Sequence, residues 1–414
     1  MGSNIFSHAL FKNSVIVLIG AMVANVLSYA YHLTMGRVLG PSGYGELSAL
    51  LSLLYIFTVP LLVAQTVLVK FVSGFKAHGD VGQAKSLFLE ATKLFIIVSI
   101  IGFPIVLISG PSITAFLHLS SPTLFILLYA LLVVSLLTVA TGSMINGYQK
   151  FVWVSVMGAL AILMKLLASA PLVAWGVPGM MLAAVIASAL VYGLYFVPMR
   201  FLLSVKAKAT HLSRRVAFGF AVPTLLIQLG ITSLYSTDII LVRHFFNAHD
   251  AGLYAALAIL GKIIFYASSA ASMVLFPVLS ERFAKGDSTK KLVLGSVGAV
   301  SMVSLGLTLG YFLFPDQIVG LLFGNAYAGA GALLGMFGVF IALFSVGNIV
   351  SLACLAVGKT GVWVVPFLCA ILQIVAIVLF HGSISSVIAL NIGISAIFVL
   401  GSGGYYLLHE RTHA

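Results

Sequence analysis

Charge is what this sequence has least of. Asp, Glu, Lys and Arg make up 7% of its 414 residues, against roughly 25% in an ordinary soluble domain. That is too few to clothe a surface in water. Carboxylates are the scarcer sign, 9 against 21 lysines and arginines. Only two cysteines occur, Cys354 and Cys369. Both fall within or at the edge of apolar blocks, which argues against a disulfide framework or a zinc site. A myristoylation signal is also missing, because Phe6 stands where Ser or Thr is needed.

What the chain does have is hydrocarbon, with 61% of its residues hydrophobic. These come in continuous blocks of about 18–25 residues, long enough to cross a hydrocarbon core of roughly 30 Å at 1.5 Å per residue. Inside a bilayer every backbone group must be bonded internally, which leaves helices or a closed barrel. The blocks do not alternate, so the expectation is an all-α polytopic membrane protein. About twelve spans are read, at 13–34, 44–69, 87–109, 123–145, 152–174, 178–199, 216–240, 249–276, 292–314, 327–356, 361–380 and 385–408. The first has a basic flank at Lys12 but is too long for a signal peptide and lacks a cleavage site, so it is read as the first span.

Basic residues give the orientation through the positive-inside rule. With both termini cytoplasmic, that side holds sixteen: Lys12, Lys70, Lys76, Lys85, Lys150, Arg200, Lys206, Lys208, Arg214, Arg215, Arg282, Lys285, Lys290, Lys291, Lys359 and Arg411. The outer side holds Arg37 and Arg243, and Lys93, Lys165 and Lys262 lie within spans. The excess positive charge is thereby explained by anionic lipid facing the cytoplasmic loops, and nucleic acid need not be invoked.

The two halves echo each other at an offset of about 206–210 residues. Arg37-Val38-Leu39-Gly40 follows the first span and Arg243-His244-Phe245-Phe246 the seventh; Ala77-His78-Gly79-Asp80 is matched by Ala284-Lys285-Gly286-Asp287; Lys150-Phe151-Val152-Trp153 is matched by Lys359-Thr360-Gly361-Val362-Trp363. Six spans per half is an even number, so the repeats are parallel. Such repeats place a substrate site at their interface. The expected division is a six-helix lobe at 1–205 and another at 206–414, around a central cavity.

The phrase Gly36-Arg37-Val38-Leu39-Gly40-Pro41-Ser42-Gly43-Tyr44-Gly45 after a polar first span resembles a connection found in polysaccharide flippases. These belong to the multidrug/oligosaccharidyl-lipid/polysaccharide exporter superfamily. Asp238, the run Asp250-Ala251-Gly252-Leu253-Tyr254-Ala255-Ala256 and the run Leu275-Phe276-Pro277-Val278-Leu279-Ser280 strengthen the resemblance. It implies a flippase of the cytoplasmic membrane that moves a polyprenyl-pyrophosphate-linked oligosaccharide to the outer leaflet by alternating access. The first, second, seventh and eighth spans would line the cavity. Its implied partners are the lipid-linked glycan, membrane lipids and glycan-assembly enzymes.

Candidate site residues follow from the misplaced polar groups. A charge within a span costs about 2.5–3.5 kcal/mol on insertion scales, so one that persists usually faces a wet cavity. Lys262 and Lys165 are therefore candidates for an anionic pyrophosphate; alternatively each is neutralised by Asp238, Glu90 or Glu46, or snorkels to an interface. Asn25, Ser28, Tyr29 and His32 share one helix face, as do Gln228, Thr232, Tyr235 and Ser236. Asn25, Tyr29, Gln65, Gln228 and Tyr235 suit sugar hydrogen bonding, and suit interhelical bonds equally. His32 and Asp238 are equivalent by the repeat. Asp238 is read as a gate partner of Arg243 or as a proton or sodium site, with Arg37 and His32 as its counterparts in the first half. Glu90 and Lys93 are expected to pair.

No catalytic residue, metal or organic cofactor is expected; the energy would come from H+ or Na+ coupling, membrane potential or substrate concentration. Val357-Gly358-Lys359-Thr360 imitates the end of a P-loop, but Ala353 stands where that motif needs Gly. The outer loops are too short and empty for a glycan polymerase. The competing reading is an ion-coupled multidrug or small-molecule exporter of the same superfamily, which usually needs carboxylates in its cavity.

Overall fold

The computed structural model describes residues 2–208, 214–284 and 290–410. Lys285, Gly286, Asp287 and Arg411 from the sequence readings lie outside them. The described residues are helical, with no strand among them. The helices are α1 (Gly2–Ala77), α2 (Val81–Phe116), α3 (Thr123–Gly147), α4 (Phe151–Leu172), α5 (Gly176–Leu203), α6 (Arg214–Leu234), α7 (Thr237–Phe245), α8 (Ala248–Ala284), α9 (Lys290–Leu313), α10 (Pro315–Leu322), α11 (Gly331–Ala356), α12 (Val364–Leu379) and α13 (Ile384–Glu410). Every apolar block read from the sequence lies on one or two of these.

Among the described residues, nine stretches are long and apolar enough to cross a membrane, or ten if α6 and α7 count as one bent span. Two of the nine, Ile19–Ala77 with 59 residues and Phe151–Leu203 with 53, are each more than twice the length of about 20 residues that one crossing requires. The protein is thus multi-pass. Large side chains such as Ile100, Ile101 and Ile108 are mostly exposed on α2, which a hydrocarbon surround explains.

The polar connection expected between the first two spans is instead a kink within α1. Gly40 has φ 64° and ψ 178°, which a residue without Cβ adopts freely, and Pro41 follows it without an N–H to donate.

Contacts group the chain into two compact units, one of residues 1–38 and 57–221, the other of residues 39–56 and 222–414. The first unit packs around Leu68, Val72, Phe88, Phe95, Met144 and Met199. A polar clasp closes one end of it. Lys85 Nζ donates to the carbonyls of Leu203 at 2.7 Å and Val205 at 2.6 Å. Ser86 Oγ donates to Lys208 O at 2.7 Å, and Lys208 pairs with Asp80 at 3.2 Å. Glu90 and Lys93 are exposed on α2 and form no ion pair with each other, contrary to the expectation. Such a pair gains only about 0.2–0.5 kcal/mol, too little to fix two long side chains.

In the second unit α11 is the central helix, packed by α8, α9 and α13. Small and hydroxyl residues permit its close contacts, as membrane helix pairs favour. Gly347 lies against Phe398, and Ser351 and Ser402 share a 3.0 Å hydrogen bond. Two resemblance motifs meet here: a Cβ on Gly45 would come within 2.8 Å of Gly252 N, and one on Gly252 would overlap Pro41 O. Backbone therefore packs directly on backbone.

Candidate functional site

The first unit holds a cation within an apolar span. Lys165, half-buried in the middle of α4, places Nζ 3.7 Å from the centroid of the Tyr31 ring. Tyr31 is itself fully buried, and its hydroxyl bonds Ser169, whose Oγ donates to the Lys165 carbonyl at 2.7 Å. The ring face is the electronegative side of the aromatic, so it holds the ammonium without supplying a full counter-charge. Within this unit no carboxylate among the described residues is in ion-pair range of Lys165. His32 is buried edge-on to Tyr31, with ring centroids 5.6 Å apart. Tyr29 is part-buried, while Asn25 and Arg37 are exposed on α1. Gln65 is part-buried and makes no hydrogen bond among the described residues.

The second unit holds the counterpart. Lys262, on α8, is buried at 8% exposure. Its Nζ is 4.9 Å from the Tyr55 ring centroid and 5.7 Å from that of Tyr235. Tyr235 stacks on Phe265 at 5.9 Å and meets Phe344 edge-on. Gln228, half-buried on α6, has no hydrogen-bond partner among the described residues. Lys262 feels the charge of Asp238 but is not within ion-pair distance of it.

Asp238 sits where the seventh span breaks. α6 ends at Leu234, α7 begins at Thr237, and the two segments bend by 43°. A break inside a bilayer frees backbone groups that need new partners, and the neighbouring helices supply one. Gln373 Nε2 of α12 donates to Leu234 O at 3.0 Å and to Asn391 Oδ1 of α13 at 3.0 Å. The Asp238 carboxylate lies in the first turn of α7, where the helix dipole favours an anion. It accepts from the Tyr254 hydroxyl at 2.6 Å, from Ile239 N at 2.9 Å and from Asn391 Nδ2 at 3.5 Å. Asn391 Nδ2 also donates to the Tyr254 hydroxyl at 3.0 Å. Two buried acceptors at the break, Gln373 Oε1 and Ser236 Oγ, lack a hydrogen-bond partner among the described residues.

Asp238 does not meet Arg243. Five residues along a helix is about 140° of rotation, and Arg243 instead faces the charge of Glu46, both residues being buried. Asp238, Lys262 and Tyr235 lie in the second unit, with Lys262 Nζ 5.7 Å from the Tyr235 ring centroid and under the influence of the Asp238 charge. Tyr254, Gln373 and Asn391 were missed as site residues. A lone amide within an otherwise apolar span is the signal that could have found the last two; Tyr254 was visible only as part of a motif.

Among the described residues no group of His, Cys, Asp and Glu could hold a metal ion. Each unit thus holds one lysine against a tyrosine ring, and the second also keeps one carboxylate inside a fixed polar network.

Comparison with known proteins adds the following. The model of a family described as polysaccharide biosynthesis protein matches residues 34–331. No curated protein matches the sequence. Among solved structures, the fold is similar to the lipid II flippase MurJ in an inward closed conformation, with a TM-score of 0.74 at 12% identity over 96% of this chain and 87% of that one. It is also similar to an inward-facing multidrug resistance MATE family transporter of the MOP superfamily, with a TM-score of 0.69 at 14% identity over 96% of this chain and 98% of that one. A MOP superfamily transporter from Pyrococcus furiosus gives a TM-score of 0.65 at 16% identity over 97% and 95%. At these identities the likeness is one of fold.

Proposed function

The chain belongs to the polysaccharide biosynthesis protein family, and from that premise we propose that it is a flippase. It carries an oligosaccharide linked to a polyprenyl pyrophosphate across the cytoplasmic membrane, by alternating access, with both termini cytoplasmic. The observation that carries this reading is the state of two lysines within spans. Lys165 and Lys262 rest against tyrosine rings, and among the described residues of its own unit neither has a carboxylate in ion-pair range. An ammonium within a span and without a counter-ion is costly, and an anionic phosphate supplies what it lacks.

A multidrug exporter fits less well. Cationic drugs call for an available carboxylate, and Asp238 is already engaged by Tyr254, Ile239 and Asn391. Asp238 serves better as the coupling group. Its carboxylate and the unpartnered oxygens of Gln373 and Ser236 stand at a helix break, the kind of place where membrane carriers bind H+ or Na+.

The test is reconstitution in liposomes with a fluorescent polyprenyl-pyrophosphate oligosaccharide. Leaflet exchange should exceed that of empty vesicles and should fall with Lys262→Ala. Exchange equal to empty vesicles, with cationic dyes transported instead, overturns the reading in favour of the exporter.

A further inference from the structure

A slot of about 1050 Å³ opens between α12 and α13, lined by Ala376, Leu379, His381, Ala389, Gly393 and Ile397 among others. Small residues make it: Ala389 and Gly393 are four apart and so share one face of α13, and nothing lies within 4 Å of where a Cβ on Gly393 would stand. The large side chains at its rim, Leu372, Leu379 and Ile397, are exposed on helices whose outer face is apolar, so the slot opens to the bilayer.

Its length identifies the occupant. From Ser386 to Ile397 is eleven residues, or about 16 Å of helix, roughly half of a hydrocarbon core of about 30 Å. A packed helix of another protein would run the full thickness, and a polyprenyl chain would outrun one leaflet. The mouth of the slot is its polar end. His381 Nδ1 bonds the carbonyls of Ile377 at 3.1 Å and Val378 at 2.9 Å, its ring stacks on Phe245 at 3.8 Å, and Ser386 Oγ bonds Ser383 Oγ at 2.9 Å. A polar mouth and an apolar shaft one leaflet deep match a phospholipid, head at the interface and chain inside.

We propose that the slot between α12 and α13 is a binding site for one acyl chain of a resident phospholipid. The helices forming its walls are tied on their buried side by the 3.0 Å bond between Gln373 and Asn391, the same amides that reach the α6–α7 break and Asp238. The chain thus holds apart two helices whose spacing that network requires. This site is independent of which substrate the protein carries.

The test uses the full chain in vesicles of phosphatidylethanolamine and phosphatidylglycerol, with a photoreactive diazirine on one acyl chain and peptides mapped by mass spectrometry. Labelling should concentrate on residues 372–397 relative to the open apolar face of α2 at Ile100, Ile101 and Ile108. Gly393→Leu should fill the shaft and cut labelling there about tenfold, the effect of losing one buried side chain's worth of apolar contact, with α2 labelling unchanged. Ala389→Leu fills the shaft independently should the first variant fold poorly. Even labelling of both regions, labelling indifferent to both substitutions, protection of the slot by a second copy of the chain, or labelling only by a photoreactive polyprenyl phosphate each overturns the proposal.

Discussion

At the scale of the residue, the unusual groups are two ammoniums held by rings. A cation resting on a ring gains about 0.5–2 kcal/mol, which leaves part of its desolvation cost uncompensated. Replacing Lys262 by Met therefore should not lower the thermal midpoint of the purified protein, while leaflet exchange of the glycolipid should fall about tenfold or more, because a hydrogen bond to a charged group contributes about 1.5–3 kcal/mol. Lys262→Arg should retain part of the activity. A variant that melts early and still transports would give Lys262 a packing role only. Asp238 should behave in the opposite way. Tyr254→Phe removes the 2.6 Å donor from a buried carboxylate and should destabilise the protein by about 1–3 kcal/mol, measured by denaturation in detergent. Asp238→Asn keeps an acceptor for Tyr254 but removes the charge, and transport should then no longer respond to an imposed Na+ or H+ gradient. A gradient response equal to that of the unaltered protein would take coupling away from this residue.

Elements carry their own tests, and they also show where sequence reading stops. Apolar blocks of membrane length are legible because the bilayer allows a span almost one structure, and each block lies on one helix or a broken pair. Breaks are less legible. Gly40-Pro41 announces itself through a glycine and a proline, but the sequence cannot say that helix resumes at once on both sides of the kink. The break after Leu234 has no such marker: Tyr235 and Ser236 are ordinary helix residues, and the bend is supported from a distance by Gln373, 139 positions later. The site shares this limit. Lys165, Lys262 and Asp238 stand out because charge in a span is rare, whereas Gln373 and Asn391 acquire meaning only through their partners. Gln373→Leu should strip the donor from two buried acceptors, Leu234 O and Asn391 Oδ1, at about 1–3 kcal/mol each, and should make the α6–α7 connection exchange its amide hydrogens faster. The backbone contact between Gly45 and Gly252 is a second test. Gly252→Ala drives a methyl into Pro41 O and should lower stability by about 1–3 kcal/mol, whereas Gly74→Ala, with open space around it, should not lower it. Equal melting of the two variants would mean that the contact gives way without cost.

For the whole molecule, the proposed orientation can be read with thiol reagents. The native Cys354 and Cys369 are buried, so a single introduced cysteine can be followed against a quiet background. Ser120→Cys and Ser383→Cys, at exposed positions between spans, should react from outside intact cells with an impermeant maleimide. Lys76→Cys and Lys206→Cys, also exposed, should react only after lysis; the reverse pattern would invert the topology. The grouping of residues 39–56 with residues 222–414 has a consequence for how such a gene can be divided. A coding sequence severed after codon 205, where the two expected lobes would divide, would yield two products. The first of those products would nonetheless carry a stretch whose packing partners are encoded entirely by the second. Neither fragment would be self-sufficient, and co-expression would have to rebuild the contact between Gly45 and Gly252 from separate ribosomes. Residues 39–56 thus tie the two parts of the coding sequence together long before any such cut.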